Sequence, residues 1–439
     1  MLAEFVTNNA VALSAGILLL AYVFIALEKI PKMTIAFIGA AITIVLGLVS
    51  QSKWIGEDLN PLYFITFVDF NVIFLLVSMM IIVSITTRSG VFSWLANELL
   101  KLTKGHPVRI LFALGIFTAV VSAFLDNVTT VILIMPITFV IAKELEIDPI
   151  PYLLTEIFAS NIGGTATLIG DPPNIIIGSA AGLSFMDFVY ALTPVIVVIL
   201  AIVMALLAFL FRKKLKTSEE KMQKVATIDN SKSIVDKALM IRSTIILGLV
   251  ILGFVTHDIT HIETCVVAMF GASILLLFEK PTEILKDVEW NTIFFFIGLF
   301  IIIGGLEASG GIKLMAEWIL KVTQGSQAAT SMLILWESGI ISGIIDNIPY
   351  TATMSPMLVE IQKTMGEAYT IPLWWSLSLG ACLGGNMTII GAAANVIVSE
   401  YANSKGYPIS FMRFMKYGVG VVAISLLVST GYVYLKFLT

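Results

Sequence analysis

Charge is what this sequence has least of. Only 13% of its 439 residues are Asp, Glu, Lys or Arg, while 58% are hydrophobic. A soluble domain carries about a quarter charged residues. So much apolar surface has no place in water, and the solvent implied is the lipid bilayer. Cysteine is nearly missing too. Cys265 and Cys382 both lie in apolar runs, which excludes a disulfide framework and a thiolate metal site. Among the three histidines, His257 and His261 stand four apart beside Asp258 and Glu263, a set a metal could use. A tetrahedral site normally needs more, so a loop between two membrane helices is the simpler reading. No GxxxxGK[ST] is present, which excludes an ATP-driven engine of that type. No histidine in an apolar segment neighbours a nucleophile or a carboxylate pair, so an enzyme is not expected and no cofactor is called for. Net charge is −4 without a basic tail, which argues against nucleic acid as a partner. The opening MLAEFVTNNA lacks the basic n-region of a cleavable signal.

What is present is a series of apolar runs of spanning length, about 20 residues each. They read at 8–27, 32–50, 70–87, 152–179, 187–211, 241–257, 261–279, 291–308, 372–400 and 411–437. Two further stretches, 107–142 and 326–364, are split near their middles by Asp126-Asn127 and Asp346-Asn347. A spanning helix avoids an acid at its centre because the cost is several kcal/mol. Each stretch is therefore read as a re-entrant helical hairpin with the polar pair at its tip. An amphipathic segment, 90–104 or 311–323, precedes each hairpin and is expected to lie in the interface. Residues 212–240 are a charged linker.

The two halves match. The offset that carries Asp126 onto Asp346 also carries Asp69-Phe70-Asn71 onto Glu289-Trp290-Asn291, and Pro136 onto Pro356. With one inserted residue, the segment from Gly163 to Gly170 falls on Gly384 to Gly391, and Asn174 on Asn395. This predicts an all-α polytopic membrane protein of two repeats, 1–211 and 241–439, joined by a cytoplasmic linker at 212–240. Five crossings plus one hairpin per half make the second repeat inverted. Positive charge agrees with an N-terminus outside: all but Lys53, Lys313, Lys321, Lys363 and Lys436 of the 26 Lys and Arg residues then fall on inside loops and helix ends. The expectation is an integral protein of the plasma membrane with both termini outside.

Inverted repeats with broken elements in matching positions point to a transporter's binding site. The broken elements here are the two tips and the interrupted helices SNIGGTATLIGDPPN (160–174) and LGGNMTIIGAAANV (383–396). Gly-Gly and Pro-Pro free backbone groups that must then line a cavity or be buried in protein. Carbonyls, Asn and Thr oxygens and a carboxylate suit a hard cation such as Na+, whereas helix N-termini suit an anion. Asp126 and Asp346 are the sharpest candidates, as carboxylates that bind a cation or a proton. Each is also placed to N-cap the outgoing arm, and the two roles are compatible. Asp171 has Ala392 as its mate, so it would serve one half only, or form an Asx turn into Pro172-Pro173. Asn127, Asn347, Asn174 and Asn395 are expected to fix geometry or donate ligands. Thr129 and Thr351 are weaker candidates, with Thr130, Thr165, Thr167, Thr353 and Thr388, because hydroxyls in membrane helices often bond only to nearby backbone. Glu337 is a candidate proton relay. Glu156, Glu307 and Glu400 read as interfacial.

At these motifs the chain resembles the ArsB/NhaD branch of the ion transporter superfamily. The segments are FLDNVTTVILIMPI, SNIGGTATLIGDPPNIII, IDNIPYTATMSPM and GACLGGNMTIIGAAANVIVSE. Within that branch it is most similar to the group containing the melanosomal P protein. The same elements resemble the divalent-anion/sodium symporters, whose tips read Ser-Asn-Thr. The resemblance implies a scaffold domain, a mobile transport domain holding both hairpins, a homodimer and elevator-type alternating access. It also implies sodium held by Asn127 with Gly170, and by Asn347 with Gly391. Aspartate in place of the symporters' serine adds two potential charges and fits a cation or proton role. ArsB-like arsenite carriers lack the Asp-Pro-Pro-Asn element in this form.

Together these features predict a secondary transporter coupled to Na+ or H+, with Na+/H+ antiport as the first reading. A coupled carrier of a small anion (arsenite, another oxyanion or a carboxylate) is the alternative. No arginine in the central elements is placed to clamp a carboxylate in bidentate fashion. An anion channel would also use re-entrant hairpins, but a two-fold broken-helix site fits alternating access better.

Overall fold

A computed structural model describes residues 2–27, 29–49, 63–226 and 233–439. Lys53 and Lys232, both counted above for orientation, lie outside them. Among the described residues every regular element is helical. The first half comprises α1 (Leu2–Asn8), α2 (Ala10–Leu27), α3 (Lys32–Val45), α4 (Phe70–Arg88), α5 (Val91–Leu102), α6 (Pro107–Ser122), α7 (Asn127–Leu145), α8 (Ile150–Gly164), α9 (Pro172–Ala181) and α10 (Phe185–Phe211). A short α11 (Glu219–Ala226) follows in the linker. Then come α12 (Lys237–Val255), α13 (His257–Thr260), α14 (Thr264–Leu276), α15 (Pro281–Ile284), α16 (Trp290–Ala308), α17 (Gly311–Val322), α18 (Gln327–Ile341), α19 (Asn347–Met365), α20 (Glu367–Gly384), α21 (Ala393–Ser404) and α22 (Phe411–Phe437).

Seven of these helices are long and apolar enough to cross a membrane: α2, α4, α7, α10, α12, α16 and α22. Leu19, Leu20, Phe209, Leu249 and Leu252 are exposed on them, as side chains facing lipid should be. The expected spans at 152–179 and 372–400 are each two helices with a break between, α8 and α9, then α20 and α21. Helix starts are chemically marked. Asp69 accepts from the backbone N–H of Asn71 and Val72, Asp236 from Ala238 and Leu239, and Ser184 forms a reciprocal capping box with Asp187.

The helices pack as two groups. In one, α3 lies on α2 and α16, and α4 on α14 and α12. In the other, α8 packs on α6, α7 and α10, while α20 packs on α18, α19 and α22, and α21 crosses to α7 and α8. The boundary between the groups runs along α4 against α9 and α16 against α19.

The described part of the linker is docked on the helices. Thr217 donates to the carbonyl of Leu145 at 2.7 Å, Lys221 meets Glu146 at 2.5 Å, and Asn97 donates to Ser233. The hydrogen bond and charge of Lys221 hold the Glu146 carboxyl below its ordinary range.

Candidate functional site

The polar pairs sit where two helices meet head to tail. Between α6 and α7 the chain turns at 123–126, and between α18 and α19 at 342–346. Asp126 caps α7: its carboxylate accepts from the Thr129 N–H at 2.8 Å and the Thr129 hydroxyl at 2.5 Å. Asp346 caps α19, accepting from the Ile348 N–H at 3.0 Å. Thr129 is thereby committed to Asp126.

Each turn is wedged into an interrupted helix by small residues. Ser122 donates to the carbonyl of Ser160 at 2.8 Å, and Ser342 to that of Ala381 at 2.9 Å. Thr167 donates to the Ala123 carbonyl, and Thr388 to that of Gly343 at 2.6 Å. The Gly-Gly pairs permit the approach. A Cβ on Gly163 would stand 2.1 Å from the Ala119 carbonyl oxygen, and one on Gly384 2.5 Å from that of Gly339. Backbone oxygens crowd the same places: a Cβ on Gly170 would meet those of Ser122 and Gly164 at 2.5 and 2.6 Å, and one on Gly391 that of Gly385 at 2.7 Å.

Asn174 and Asn395 sew the broken loops together. The Asn174 amide donates to the carbonyls of Thr165 and Thr167 at 3.1 and 2.8 Å. The Asn395 amide donates to those of Gly385 and Thr388 at 2.7 and 2.8 Å. Each also receives a donor from the other half. Ser378 donates to the Asn174 oxygen at 2.6 Å. Asn161 donates to the Asn395 oxygen at 3.0 Å and to the Asn386 oxygen at 2.9 Å. Asn161 in turn accepts from Asn127 at 3.0 Å. One buried amide thus ties the first tip to both interrupted helices.

Asp171 is the meeting point of the two tips. Its carboxylate is 1% exposed and accepts from the Asn127 amide at 3.3 Å and the Asn347 amide at 3.3 and 3.5 Å. It makes no side-chain cap on α9, so the Asx turn is not formed. A cavity of about 80 Å³ opens beside it, lined by Asp126, Asn127, Asp171, Asp346 and Asn347, with Leu76, Met79 and Phe295 as apolar wall. It has room for a small ion with part of its water shell.

The same cavity is lined by Lys32 and Glu289, neither of which sequence reasoning singled out. In sequence Lys32 reads as a helix-end charge, yet it reaches the Asp346 carboxylate at 2.5 Å. Glu289 was seen only as the counterpart of Asp69. Asn161 stood in plain view in the Ser-Asn-Ile-Gly-Gly run, but its three partners come from distant segments. Of the weaker candidates, Thr351 is fully buried off the cavity, and its hydroxyl, like that of Thr130, has no hydrogen-bond partner among the described residues. Glu337 is half-buried on α18 and does not line the cavity. The interfacial reading of Glu156 needs correction. It is 1% exposed on α8 and accepts from Thr138 on α7, because the shared face of these helices covers it. Glu307 and Glu400 are exposed. Among the described residues no three His, Cys, Asp or Glu side chains are grouped closely enough to hold a metal ion, and this includes His257 and His261.

The sequence profile of the CitMHS family, described as a citrate transporter, matches residues 22–380. A 46 kDa membrane protein of Mycobacterium leprae is 41% identical over 96% of this chain and 98% of its own length. A Mycobacterium tuberculosis protein named an uncharacterized transporter is 42% identical over 95% of this chain and 96% of its own. The P protein of Mus musculus is 30% identical over 95% of this chain, which spans 59% of that longer protein. The crystal structure of the Alcanivorax borkumensis YdaH transporter covers 98% of both chains with a TM-score of 0.57 at 14% identity, a likeness of fold.

Proposed function

The chain belongs to the CitMHS family of membrane transporters, and on that footing we propose that it is a cation-coupled secondary transporter exchanging Na+ or Li+ for H+. One observation carries this reading: four carboxyl groups, Asp126, Asp171, Asp346 and Glu289, face one cavity in which Lys32 is the only cationic lining residue among the described residues. A carboxylate field inside the low-dielectric interior attracts cations and repels anions.

Asn127 with the Gly170 backbone, and Asn347 with the Gly391 backbone, are the proposed sodium ligands. The carbonyl oxygens crowded against both glycines support that choice. The matched wedges, Ser122 with Ser342 and Thr167 with Thr388, support two repeats in which α6–α7 and α18–α19 are hairpins entering from opposite sides. On this reading the repeats are 1–211 and 241–439, both termini are outside, and the plasma membrane is the location. Ion pairs join residues assigned to one side, as Arg88 with Asp287 and Arg413 with Asp148. The packing of α6–α10 with α18–α22 supports a transport unit that moves against the remaining helices; the homodimer rests on the family resemblance alone. The motifs that resemble the ArsB/NhaD branch fit this assignment.

A coupled small-anion carrier is the second reading. Its support is the description of the family as a citrate transporter, together with the N-terminal residues Asn127, Pro172 and Asn347 of three helices on the cavity wall. Against it, no arginine among the described residues lines the cavity. The deciding experiment uses proteoliposomes with a pH dye inside, given Na+, Li+, K+, arsenite, citrate or chloride in turn. Proton movement triggered by Na+ or Li+ alone, and abolished in Asp126→Asn or Asp346→Asn, is the expected outcome. Silence with the cations and a response to citrate would establish the anion reading instead.

A further inference from the structure

Lys32 is badly placed for its own helix. It is the first residue of α3, where the positive end of the helix dipole disfavours a cation. What it gains instead is Asp346, a carboxylate 3% exposed and 2.5 Å away, at the start of a helix that packs in the other group. The preceding helix holds the same tip, since the Tyr22 hydroxyl donates to the Pro349 carbonyl at 2.6 Å and meets the Thr353 hydroxyl. The matching tip is built differently. Asp126 is bonded by its own Thr129, and the other charged side chains lining the cavity are Asp171, Asp346, Glu289 and Lys32. One tip thus carries an internal ammonium and the other carries none within salt-bridge reach among the described residues.

We propose that the Lys32 ammonium is a built-in competitor that occupies the cation position on Asp346 in the unloaded carrier. A cation arriving from solution must displace it, and displacement cuts the link between α3 and the tip of α19. Lys32 is then a positioning residue that joins site occupancy to the freedom of the tip. The inference rests on the cation reading of the cavity. It explains why a side chain that opposes its own helix dipole stands at this position, and why only one tip is so equipped.

The test is a Na+ and Li+ titration of the purified full chain, followed by the cation-dependent shift in thermal unfolding midpoint. Wild type, Lys32→Met, Lys32→Gln and Lys32→Arg are compared. Half-saturation should fall about fivefold in Lys32→Met and Lys32→Gln, the size of effect expected of a partly exposed ion pair. Lys32→Arg should stay at the wild-type value, a rescue that a merely structural role would not produce. An unchanged or weaker midpoint in both neutral variants, the same shift in Lys32→Arg, or no cation response in any protein would overturn the proposal. The two claims fail separately. Na+-triggered proton exchange in wild-type vesicles with an unshifted midpoint in Lys32→Met removes the competitor and keeps the antiporter. Tighter binding in Lys32→Met without exchange in wild type does the reverse.

Discussion

Replacing Asn161 with alanine removes the amide on which the site is strung. Three hydrogen bonds go: one accepted from Asn127 at 3.0 Å, and two donated to Asn386 and Asn395 at 2.9 and 3.0 Å. Asn127 keeps Asp171 as an acceptor. The side-chain oxygens of Asn386 and Asn395 each lose this donor inside a region where both residues are 0% exposed. A buried polar group left without its partner costs about 1–3 kcal/mol, so the two together come to roughly 2–6 kcal/mol. For a chain of this size that lowers the thermal midpoint by about 2–6 °C. Intrinsic tryptophan fluorescence of the purified protein in detergent reads it, with Trp374 fully buried on α20 as a reporter. Asn9→Ala is the control, because its bond to the Phe5 carbonyl is exposed and its loss should stay within about 0.5 kcal/mol. If Asn161→Ala falls as close to wild type as Asn9→Ala, the amide network does not hold the tip and the interrupted helices together, and the reasoning built on it is wrong.

Other outcomes follow from the same geometry. Gly170→Ala places a methyl 2.5 Å from the Ser122 carbonyl oxygen and 2.6 Å from that of Gly164, so it should destabilise by at least about 1–3 kcal/mol and abolish transport in a flux assay. Arg88→Ala removes an ion pair to Asp287 whose partners are 35% and 42% exposed, and thermal unfolding should move by less than about 1 kcal/mol. The lowered Glu146 carboxyl stabilises linker docking at pH above the ordinary glutamate range, and that contribution is lost as pH falls through the lowered folded value. Limited proteolysis near α11 should therefore accelerate on acidification in wild type, whereas Lys221→Met should be cut readily at both pH values.

Much of this was readable from local chemistry. Asp126-Asn127 and Asp346-Asn347 are a cap and a first helical residue, and both helices start where the pairs stand. Gly163-Gly164 and Pro172-Pro173 end one helix and open the next, as residues with those backbone limits should. The amphipathic segments at 90–104 and 311–323 are α5 and α17. What stayed hidden depends on where long side chains and distant segments meet. Nothing near Lys32 in sequence foretells Asp346, 314 residues away. Asn161 gathers partners 34, 225 and 234 residues distant. Glu156 looked interfacial because hydropathy cannot tell a face turned to lipid headgroups from one covered by α7. In sequence Asp171 fits either a ligand or a turn former, and only the approach of both tips makes it a carboxylate shared between Asn127 and Asn347.

The proposed exchange requires the acidic cavity to select cations over anions. The direct measurement is paired uptake of radiolabelled Na+ and citrate into the same batch of proteoliposomes, acidic inside and then acidic outside. Na+ accumulation driven by the acidic interior, without citrate accumulation in either direction, is the predicted result. Citrate accumulation with no Na+ uptake would contradict the account.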